Sequence, residues 1–566
     1  MKKPISILLA AFIVLLPLSA WLVGGIFGRQ EVVLLACVVL LAALFSYILF
    51  QIICKTQISV SFTVLDLSVF LFLLYGLANI VFVRHFNISL FVVYKWFAVF
   101  CAYLLCRVIL HKNILMYALV LSGLVQSAIA ILQKFYVLGN NNIFFDVTGS
   151  FSNPGRLGGF LAVAFVAAFC LLRNAVKNKS LKQILLLSVS LVFLFYALVL
   201  ADSRAAFVAV FCGVAVYFFP FVRKIFIKHK IVFTSIFLAI IIFGGLLLFN
   251  YRQGSANSRL LIWRVSADMI SDKPVFGHGI TSFDEKYMHC QAAYFNENPN
   301  SKFIAVADNV AYVYNEFLHV SVEMGILGLM FLLLIFYCAF FSKKQQSQKA
   351  VLAVLLGFSM FSYPTEIFIL LFLFAIILSC TNTKKLYEIN LSRYWMIICC
   401  FIVVCACILT LKTELYLTNA SHKFTQLHEN EKQTKEYILK HYKRLKYEHE
   451  FCRIYTNWLM KNPSEKEIFN VLELFPSSEN YCIFGEYYVE KEMYEKAEEC
   501  FNISANMLPN RILPNYNLFK LYQNLGDEEN TMRMAKKILS QHIKIENTQT
   551  IRIQFEVEKY LQANSL

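Results

Sequence analysis

Charged residues are scarce in this 566-residue chain: they make up 16% of it, whereas 58% of the residues are apolar. A soluble globular protein has about 25% charged residues, so the composition excludes a string of soluble domains for most of the chain. The apolar excess also excludes intrinsic disorder. With 21 glycines and 11 prolines, the chain has no collagen-like composition. Most of it is therefore predicted to lie in a membrane.

Metal-binding and nucleotide-binding motifs are also lacking. The sequence has no paired CxxC motifs, no HExxH, no clustered carboxylate loop, no Walker loop and no GxGxxG placed between a strand and a helix. Most of the 16 cysteines lie in apolar runs, where a buried thiol behaves as a small hydrophobic group. We therefore expect no metal site and no cofactor.

The positive charge of the chain is confined to its apolar part. The net charge is +16, but residues 412–566 hold 21 basic and 22 acidic residues. Residues 1–411 therefore carry the whole excess, at +17. Basic residues accumulate in cytoplasmic loops of membrane proteins. The charge thus indicates membrane topology rather than binding to nucleic acid.

Apolar runs long enough to cross a bilayer recur along residues 1–411, since a helical span needs about 20 residues. The predicted spans are 5–27, 32–54, 64–83, 90–106, 114–138, 157–172, 184–200, 205–222, 231–249, 320–341, 350–380 and 394–411. Basic loops flank 350–380 on both sides, and Pro364 lies in its middle. We predict two short helices there, because proline interrupts a helix.

These spans predict an all-α polytopic bundle of 12–13 helices with a cytoplasmic N-terminus. The polar segment 250–312 then forms a large external loop, and residues 412–566 lie on the same outer side of the membrane. A single pass through 350–380 would instead place residues 412–566 in the cytoplasm. The chain is thus divided into a membrane domain, 1–411, and a soluble helical domain, 412–566.

The soluble tail has a helical-repeat pattern. Tyr481, Gly485, Tyr488, Ala497, Phe501 and Pro509 match the tetratricopeptide template, and a partial second copy follows about 34 residues later. The resemblance indicates a module that contacts a protein partner. A generic array of helical hairpins is the alternative.

Five short motifs lie on the predicted outer side or at a helix entrance. They are Phe151-Ser152-Asn153-Pro154…Gly159…Leu161, Ser203-Arg204, Ser258-Arg259…Trp263, Pro274…Gly277-His278-Gly279…Phe283, and Tyr314-Asn315-Glu316-Phe317-Leu318…Glu323…Gly325…Gly328. In this order they resemble the O-antigen ligase/polymerase superfamily of bacterial envelope glycosyltransferases. The similarity covers residues 140–340.

The resemblance implies a donor glycan on undecaprenyl diphosphate and a reaction at the outer face of the cytoplasmic membrane. Arg204 and Arg259 would then bind the diphosphate, because the planar guanidinium matches phosphate oxygens. Arg264 is a third candidate, although its place next to Trp263 also fits the far side of a helix. No metal is implied where arginines carry the charge.

The chain departs from the superfamily at the residue before Asn315, where family ligases commonly have a histidine proposed to activate the acceptor. Here it is Tyr314, a poor base at pH 7 because the pKa of tyrosine is about 10. Glu316 is our first candidate for the base, beside Tyr314 and Asn315. Asp308, His278 and His319 are secondary candidates. A structural place for Glu316 at the helix N-terminus is equally consistent with the sequence.

The resemblance leaves the acceptor open. It implies a ligase acting on lipid A core or a polymerase acting on a growing glycan, with transfer to protein Ser or Thr as the first alternative. A transporter of lipid-linked glycans is an alternative from another class. It fits the sequence less well because transporters place their charges near the membrane midplane. A structural or receptor role leaves the two Ser-Arg motifs unexplained.

Overall fold

The computed structural model describes residues 2–22, 29–55, 58–109, 112–139, 142, 144–229, 231, 235, 250, 253–342, 345–381, 383–391, 393–427, 431–447, 449–461, 464–541, 543–544 and 546–564. Nearly all regular structure among them is helical, which confirms the predicted all-α class. The span predicted at 231–249 lies outside the described residues, except for 231 and 235.

The membrane part and its loop contain fourteen described helices. They are α1 (Lys2–Leu22), α2 (Arg29–Lys55), α3 (Val64–Phe82), α4 (Leu90–Ile109), α5 (Lys112–Lys134), α6 (Pro154–Lys177), α7 (Leu181–Ala201), α8 (Arg204–Lys228), α9 (Gln253–Asp272), α10 (Ser282–Glu297), α11 (Glu316–Phe340), α12 (Gln346–Ser359), α13 (Phe368–Ser379) and α14 (Arg393–Leu427). Within the described residues, eight helices are long and apolar enough to cross a membrane. Three shorter apolar helices accompany them, at Ser6–Ser19, Val33–Tyr47 and Phe368–Ser379.

The segment predicted to break near Pro364 consists of the two short helices α12 and α13. A 3-10 turn, Pro364–Glu366, lies between them. Thr365 in this turn bonds to Glu316 at the start of α11, whereas Ser379 at the end of α13 bonds to Arg107 in the last turn of α4. The two helices therefore form a hairpin whose tip reaches the end of the bundle where α11 begins.

A two-stranded antiparallel ribbon, which was not predicted from the sequence, closes the opposite end of the bundle. It pairs β1 (Ile58–Thr63) with β2 (Lys385–Leu391). Beside it, Arg107 forms a two-bonded ion pair with Asp66, at 2.8 and 2.9 Å, and also bonds to Thr63. We call this end the ribbon end, and the end that carries the hairpin tip the loop end.

The tail is a series of eight helices among the described residues. They are α15 (Glu431–Leu445), α16 (His449–Lys461), α17 (Glu465–Leu474), α18 (Ser478–Glu490), α19 (Tyr494–Met507), α20 (Ile512–Leu525), α21 (Glu528–Ser540) and α22 (Thr548–Asn564). Helices α18 and α20 begin 34 residues apart, as do α19 and α21. Gly485 permits the close packing of α18 on α19, because a Cβ atom there would lie 2.4 Å from the Phe501 ring.

The tail packs on the loop rather than hanging free of it. The Gln291 side chain of α10 donates to the Met507 carbonyl at 2.8 Å, and Asn510 donates to the Ala307 carbonyl at 2.8 Å. Buried apolar residues of both segments, including Tyr287 and Phe501, belong to one cluster. The tail therefore lies at the loop end, and α14 continues to Leu427, beyond the predicted boundary at 411.

Candidate functional site

Two of the sequence motifs pack on each other through their backbones. The His278 and Gly279 N–H groups donate to the Val322 and Glu323 carbonyls at 2.9 and 2.8 Å. Helix α11 breaks at Gly325, where φ is 65° and a Cβ atom would lie 2.1 Å from the Val275 carbonyl oxygen. Gly277 has a φ of 72°, and a Cβ atom there would lie 2.4 Å from the Glu323 backbone. These glycines therefore allow the turn to fit into the break in α11.

The motif at the start of α6 packs against the Ser-Arg motif at the start of α8. A Cβ atom at Gly158 would lie 2.6 Å from the Ser203 Cβ, so glycine lets the two helix starts approach closely. Asn153 caps α6 by accepting from the Arg156 N–H at 3.0 Å, and its amide donates to the Tyr363 hydroxyl at 3.1 Å. The cap thus joins α6 to the hairpin tip.

Three tyrosines from two segments form the centre of the loop end, and we call them the tyrosine cluster: Tyr312, Tyr314 and Tyr363. The rings of Tyr312 and Tyr363 stack with centroids 4.0 Å apart and planes 6° apart. Tyr314 stands nearly perpendicular to both, at 6.3 and 5.2 Å. Trp263 holds this segment by donating its indole N–H to the Val313 carbonyl at 3.0 Å.

Arg204 and Arg259 meet at one side of the tyrosine cluster. The Arg259 guanidinium lies over the Tyr314 ring, 5.1 Å from its centroid. Arg204 donates to the Ser255 hydroxyl at 2.9 Å, one helical turn before Arg259 on α9. Burial lowers the pKa of Arg259, and the charge of Arg204 lowers it further. Two cations that repel each other are stabilised by an anion bound between them.

Arg264 lies apart from this pair. It is 64% exposed and forms an ion pair with Asp268 on the next turn of α9, at 3.6 Å. Its position is the far side of the helix, which the sequence left open.

Tyr314 stays protonated at neutral pH in this structure. Burial raises its pKa, the neighbouring Tyr363 raises it further, and Arg259 only partly offsets the two. A phenol with a raised pKa is deprotonated to a smaller extent at pH 7 than an ordinary tyrosine, so less of it is available as a base. Its ring instead carries Arg259 on its face.

Asn315 and Glu316 both have defined structural partners. The Asn315 side chain caps α11 by accepting from the Phe317 and Leu318 N–H groups at 3.0 and 3.1 Å. Glu316 is 3% exposed and accepts from both the backbone N–H and the hydroxyl of Thr365. His319 lies between two carboxylates, 3.6 Å from Glu316 and 3.3 Å from Glu323. This geometry favours positioning roles for Asn315, Glu316 and His319. Their catalytic role stays a prediction.

The other secondary candidates, His278 and Asp308, have their contacts outside the tyrosine cluster. His278 is buried in the turn, where its Nε2 contacts the Met269 carbonyl at 2.9 Å. Burial lowers its pKa, so it is neutral at pH 7. Asp308 pairs with Lys544 of the tail at 2.8 Å and lies 3.9 Å from Arg511. It therefore joins the loop to the tail.

A cavity of about 1300 Å³ adjoins the tyrosine cluster, since Tyr312 lines it. Of its polar residues, Glu316 and His319 were predicted from the sequence and most of the others were not. Apolar residues of α3, α4, α11 and α13 line most of it. Its polar end is lined by Lys95, Arg156, Asp284, Glu285, Tyr312, Glu316, His319, Glu323 and Glu366. Arg156 belongs to the motif that begins at Phe151, so the sequence did place it near the candidate site. Its guanidinium donates to the Tyr312 hydroxyl at 3.2 Å and lies 5.8 Å from the Tyr363 ring centroid.

Comparison with known proteins bears on the same segment. Residues 189–333 match the O-Antigen ligase family. This range contains α9, α10, the arginine pair and the tyrosines at 312 and 314. A protein of Rickettsia conorii, provisionally named a polysaccharide ligase, is 27% identical over 191 residues. That alignment covers 31% of this chain and 42% of the relative, so less than half of the relative is matched. Both matches support a membrane protein of the glycan ligase type.

Proposed function

We propose that this chain is a glycosyltransferase of the bacterial cytoplasmic membrane that acts as an O-antigen ligase. It transfers a glycan from undecaprenyl diphosphate to an acceptor hydroxyl at the loop end, which faces the periplasm. The observation that carries the proposal is the convergence of Arg204 and Arg259 from two helices beside the tyrosine cluster. The family match over the same residues supports it.

The arginine pair fits the charge that develops in this reaction. When the sugar leaves the donor, the bond from its anomeric carbon to the diphosphate oxygen breaks and negative charge grows on the diphosphate. Preformed cations stabilise this charge more in the transition state than in the ground state. Two guanidinium groups held by Ser255 and Tyr314 are already in place before the charge forms.

The ligase reading is favoured over the polymerase reading by the provisional name of the Rickettsia conorii relative. The test is the gel profile of surface polysaccharide and periplasmic glycoproteins in a strain that lacks the gene. Loss of long chains with an intact core supports a ligase. A core capped with single repeats would indicate a polymerase instead. Unchanged polysaccharide with faster-running periplasmic proteins would indicate transfer to protein.

A transporter would give a different result in the same strain. Lipid-linked units would then accumulate in the inner leaflet rather than at the periplasmic face. Complementation with the Arg259→Ala variant separates the two classes, because the proposed transferase loses product while the donor still reaches the periplasm.

We further propose that the tail is a tetratricopeptide-like domain in the periplasm. The 34-residue spacing of its helix starts supports the repeat, and its packing on α10 supports a place on the same side as the loop. Protease added to intact spheroplasts is expected to cleave the tail. Complete protection, with cleavage only after the membrane is opened, would contradict this location.

A further inference from the structure

The polar end of the cavity differs in charge from the arginine pair. Five carboxylates line it, and neither Arg204 nor Arg259 does. The cavity and the arginine pair both adjoin the tyrosine cluster: Tyr312 lines the cavity, and Tyr314 lies under Arg259. Carboxylates disfavour a bound diphosphate and accept hydrogen bonds from hydroxyl groups. The cavity end is therefore suited to a hydroxyl-bearing group rather than to the leaving group.

Four of the five carboxylates are held by protein partners. Glu285 forms a two-bonded ion pair with Arg84, and Glu366 pairs with Lys95 at 3.2 Å. Glu316 is bonded to Thr365, and Glu323 lies against His319. Each of these carboxylates already has a structural task.

Asp284 is the fifth carboxylate, and it is different. Among the residues that the structure describes, no hydrogen bond or ion pair of its side chain is found, and it is accessible from the cavity. It lies in the first turn of α10, directly after the buried Phe283 that anchors the helix. Asp284 is therefore free to bond to a ligand.

The surroundings of Asp284 adjust its protonation. It faces Glu366 at the hairpin tip, Glu323 and His319 on α11, Glu285 on its own helix, and Tyr312. Burial raises its pKa. The charges of Glu366, Glu323 and Glu285 add to this, His319 offsets part of it, and the pKa reaches about 7. A base with a pKa near the working pH is the most effective one.

We propose that Asp284 is the general base that accepts the proton of the acceptor hydroxyl, which enters the polar end of the cavity. The proposal rests on the proposed glycan transfer. The hydroxyl oxygen forms a bond to the anomeric carbon of the donor sugar while its proton moves to a carboxylate oxygen of Asp284. The bond from that carbon to the diphosphate oxygen breaks, and its electron pair stays on the diphosphate beside Arg204 and Arg259. Asp284 then returns the proton to solvent.

The tyrosine cluster, which adjoins both the cavity and the arginine pair, suits the donor sugar. A sugar extends from its diphosphate, so a diphosphate at the arginine pair places the sugar at the tyrosine cluster. Arg156 brings a further cation to the cavity side, and its buried Nε has no hydrogen-bond partner among the described residues. The missing histidine before Asn315 is thus replaced by a carboxylate from another helix.

The experiment compares wild type, Asp284→Asn, Asp284→Glu and a control, Glu297→Gln, which removes an exposed carboxylate at the far end of α10. Purified full-length protein is added to membrane vesicles from the deletion strain, which hold accumulated donor and unmodified acceptor. The rate of glycan transfer is measured between pH 5.5 and 9. Thermal unfolding in detergent checks that each variant is folded.

We expect the wild-type rate to rise with pH through about 7, because Asp284 must be deprotonated. Asp284→Asn should lower the rate by about 10²–10⁴-fold and remove this rise. Asp284→Glu should recover part of the rate, and Glu297→Gln should match wild type. Binding of undecaprenyl diphosphate should be unchanged in Asp284→Asn and reduced in Arg259→Ala.

A folded Asp284→Asn variant with the wild-type rate, or with the same rise through pH 7, would overturn the assignment while leaving the transferase proposal intact. If Asp284→Asn loses donor binding as Arg259→Ala does, Asp284 acts on the donor and the assignment also fails. If wild type itself transfers nothing, the proposed function fails and the assignment falls with it.

Discussion

Glu316 and Thr365 join the first residue of α11 to the tip of the α12–α13 hairpin. The backbone N–H of Thr365 donates to the Glu316 carboxylate at 2.9 Å, and its hydroxyl donates at 2.7 Å. Lys95 bonds to the Thr365 carbonyl at 3.4 Å and to the neighbouring Glu366. The tip carries Tyr363, so this contact fixes one wall of the tyrosine cluster.

Thr365→Val therefore distinguishes a structural role of Glu316, which is to hold the hairpin tip, from a catalytic role as the base. If Glu316 holds the tip, Thr365→Val and Glu316→Gln should each lower both transfer and stability. Loss of a buried hydrogen bond that leaves its partner unsatisfied costs about 1–3 kcal/mol. Thermal unfolding in detergent and glycan gels measure these two effects. The control is Thr413→Val on α14, which removes a hydroxyl that, among the described residues, bonds only to a carbonyl of its own helix, that of Leu409. Full activity of Thr365→Val beside an inactive, folded Glu316→Gln would instead favour Glu316 as a base.

The arginine pair predicts a graded series of losses. Arg204→Ala and Arg259→Ala should each lower glycan transfer by about 10²–10³-fold, as does loss of one preorganised charge-stabilising donor. Arg264→Ala should keep most of the activity, because Arg264 is exposed and pairs with Asp268. Glycan gels of complemented strains, with immunoblots of membrane fractions for protein amount, measure this. Wild-type profiles in both Arg204→Ala and Arg259→Ala would contradict the donor site.

The helices of the membrane part were predictable because an apolar run of fixed length has few alternatives in a bilayer. The break near Pro364 was predictable for a local reason, since proline removes a helical bond. The ribbon was missed although Ile58, Val60 and Phe62 alternate with polar residues. Its other strand lies more than 300 residues away in the sequence.

On the cavity side of the site, Glu316, His319 and Glu323 belong to a sequence motif, whereas the residues that meet them from other segments could not be predicted from the sequence. Lys95 meets Glu366 across 271 residues, and Arg84 meets Glu285 across 201. Such contacts leave no spacing signal in a single chain. The motifs revealed Arg204 and Arg259, but they could not show that Arg264 faces away or that Asp308 pairs with Lys544 of the tail. Those outcomes depend on which face of a helix the fold covers.

The buried pair at the ribbon end predicts a large loss of stability. The side chains of Arg107 and Asp66 are 10% and 11% exposed, and Arg107 also bonds to the Ser379 and Thr381 carbonyls at 3.1 and 3.0 Å. Arg107→Met leaves a buried carboxylate unpaired, which costs about 3–5 kcal/mol. The control is Lys134→Met, whose ion pair with Asp146 is 47% and 65% exposed and 3.9 Å long. Such a pair contributes about 0–1 kcal/mol. Similar unfolding temperatures for the two variants would contradict a structural role of Arg107.

The contact between loop and tail is predicted to weaken in acid through His289. Its ring lies against Tyr481 of α18, with centroids 5.8 Å apart. Burial lowers its pKa. The Leu472 carbonyl and Glu473 of α17 oppose this shift, and Lys286 on its own helix adds to it. The folded protein therefore disfavours the protonated ring more than the unfolded chain does. Its contribution to stability is complete above about pH 6.5 and falls as the pH drops through that value toward the lowered pKa.

His289→Phe keeps an aromatic ring against Tyr481 and removes the titration. Between pH 7.5 and 5, wild type should lose more protection from hydrogen exchange in α18 and α19 than this variant does. His229→Phe, at an exposed position after α8, should behave like wild type. Equal losses in wild type and His289→Phe would show that other groups set the acid sensitivity of the interface. If protection is independent of pH in His289→Phe but not in wild type or His229→Phe, the acid sensitivity of the interface is due to the His289 ring.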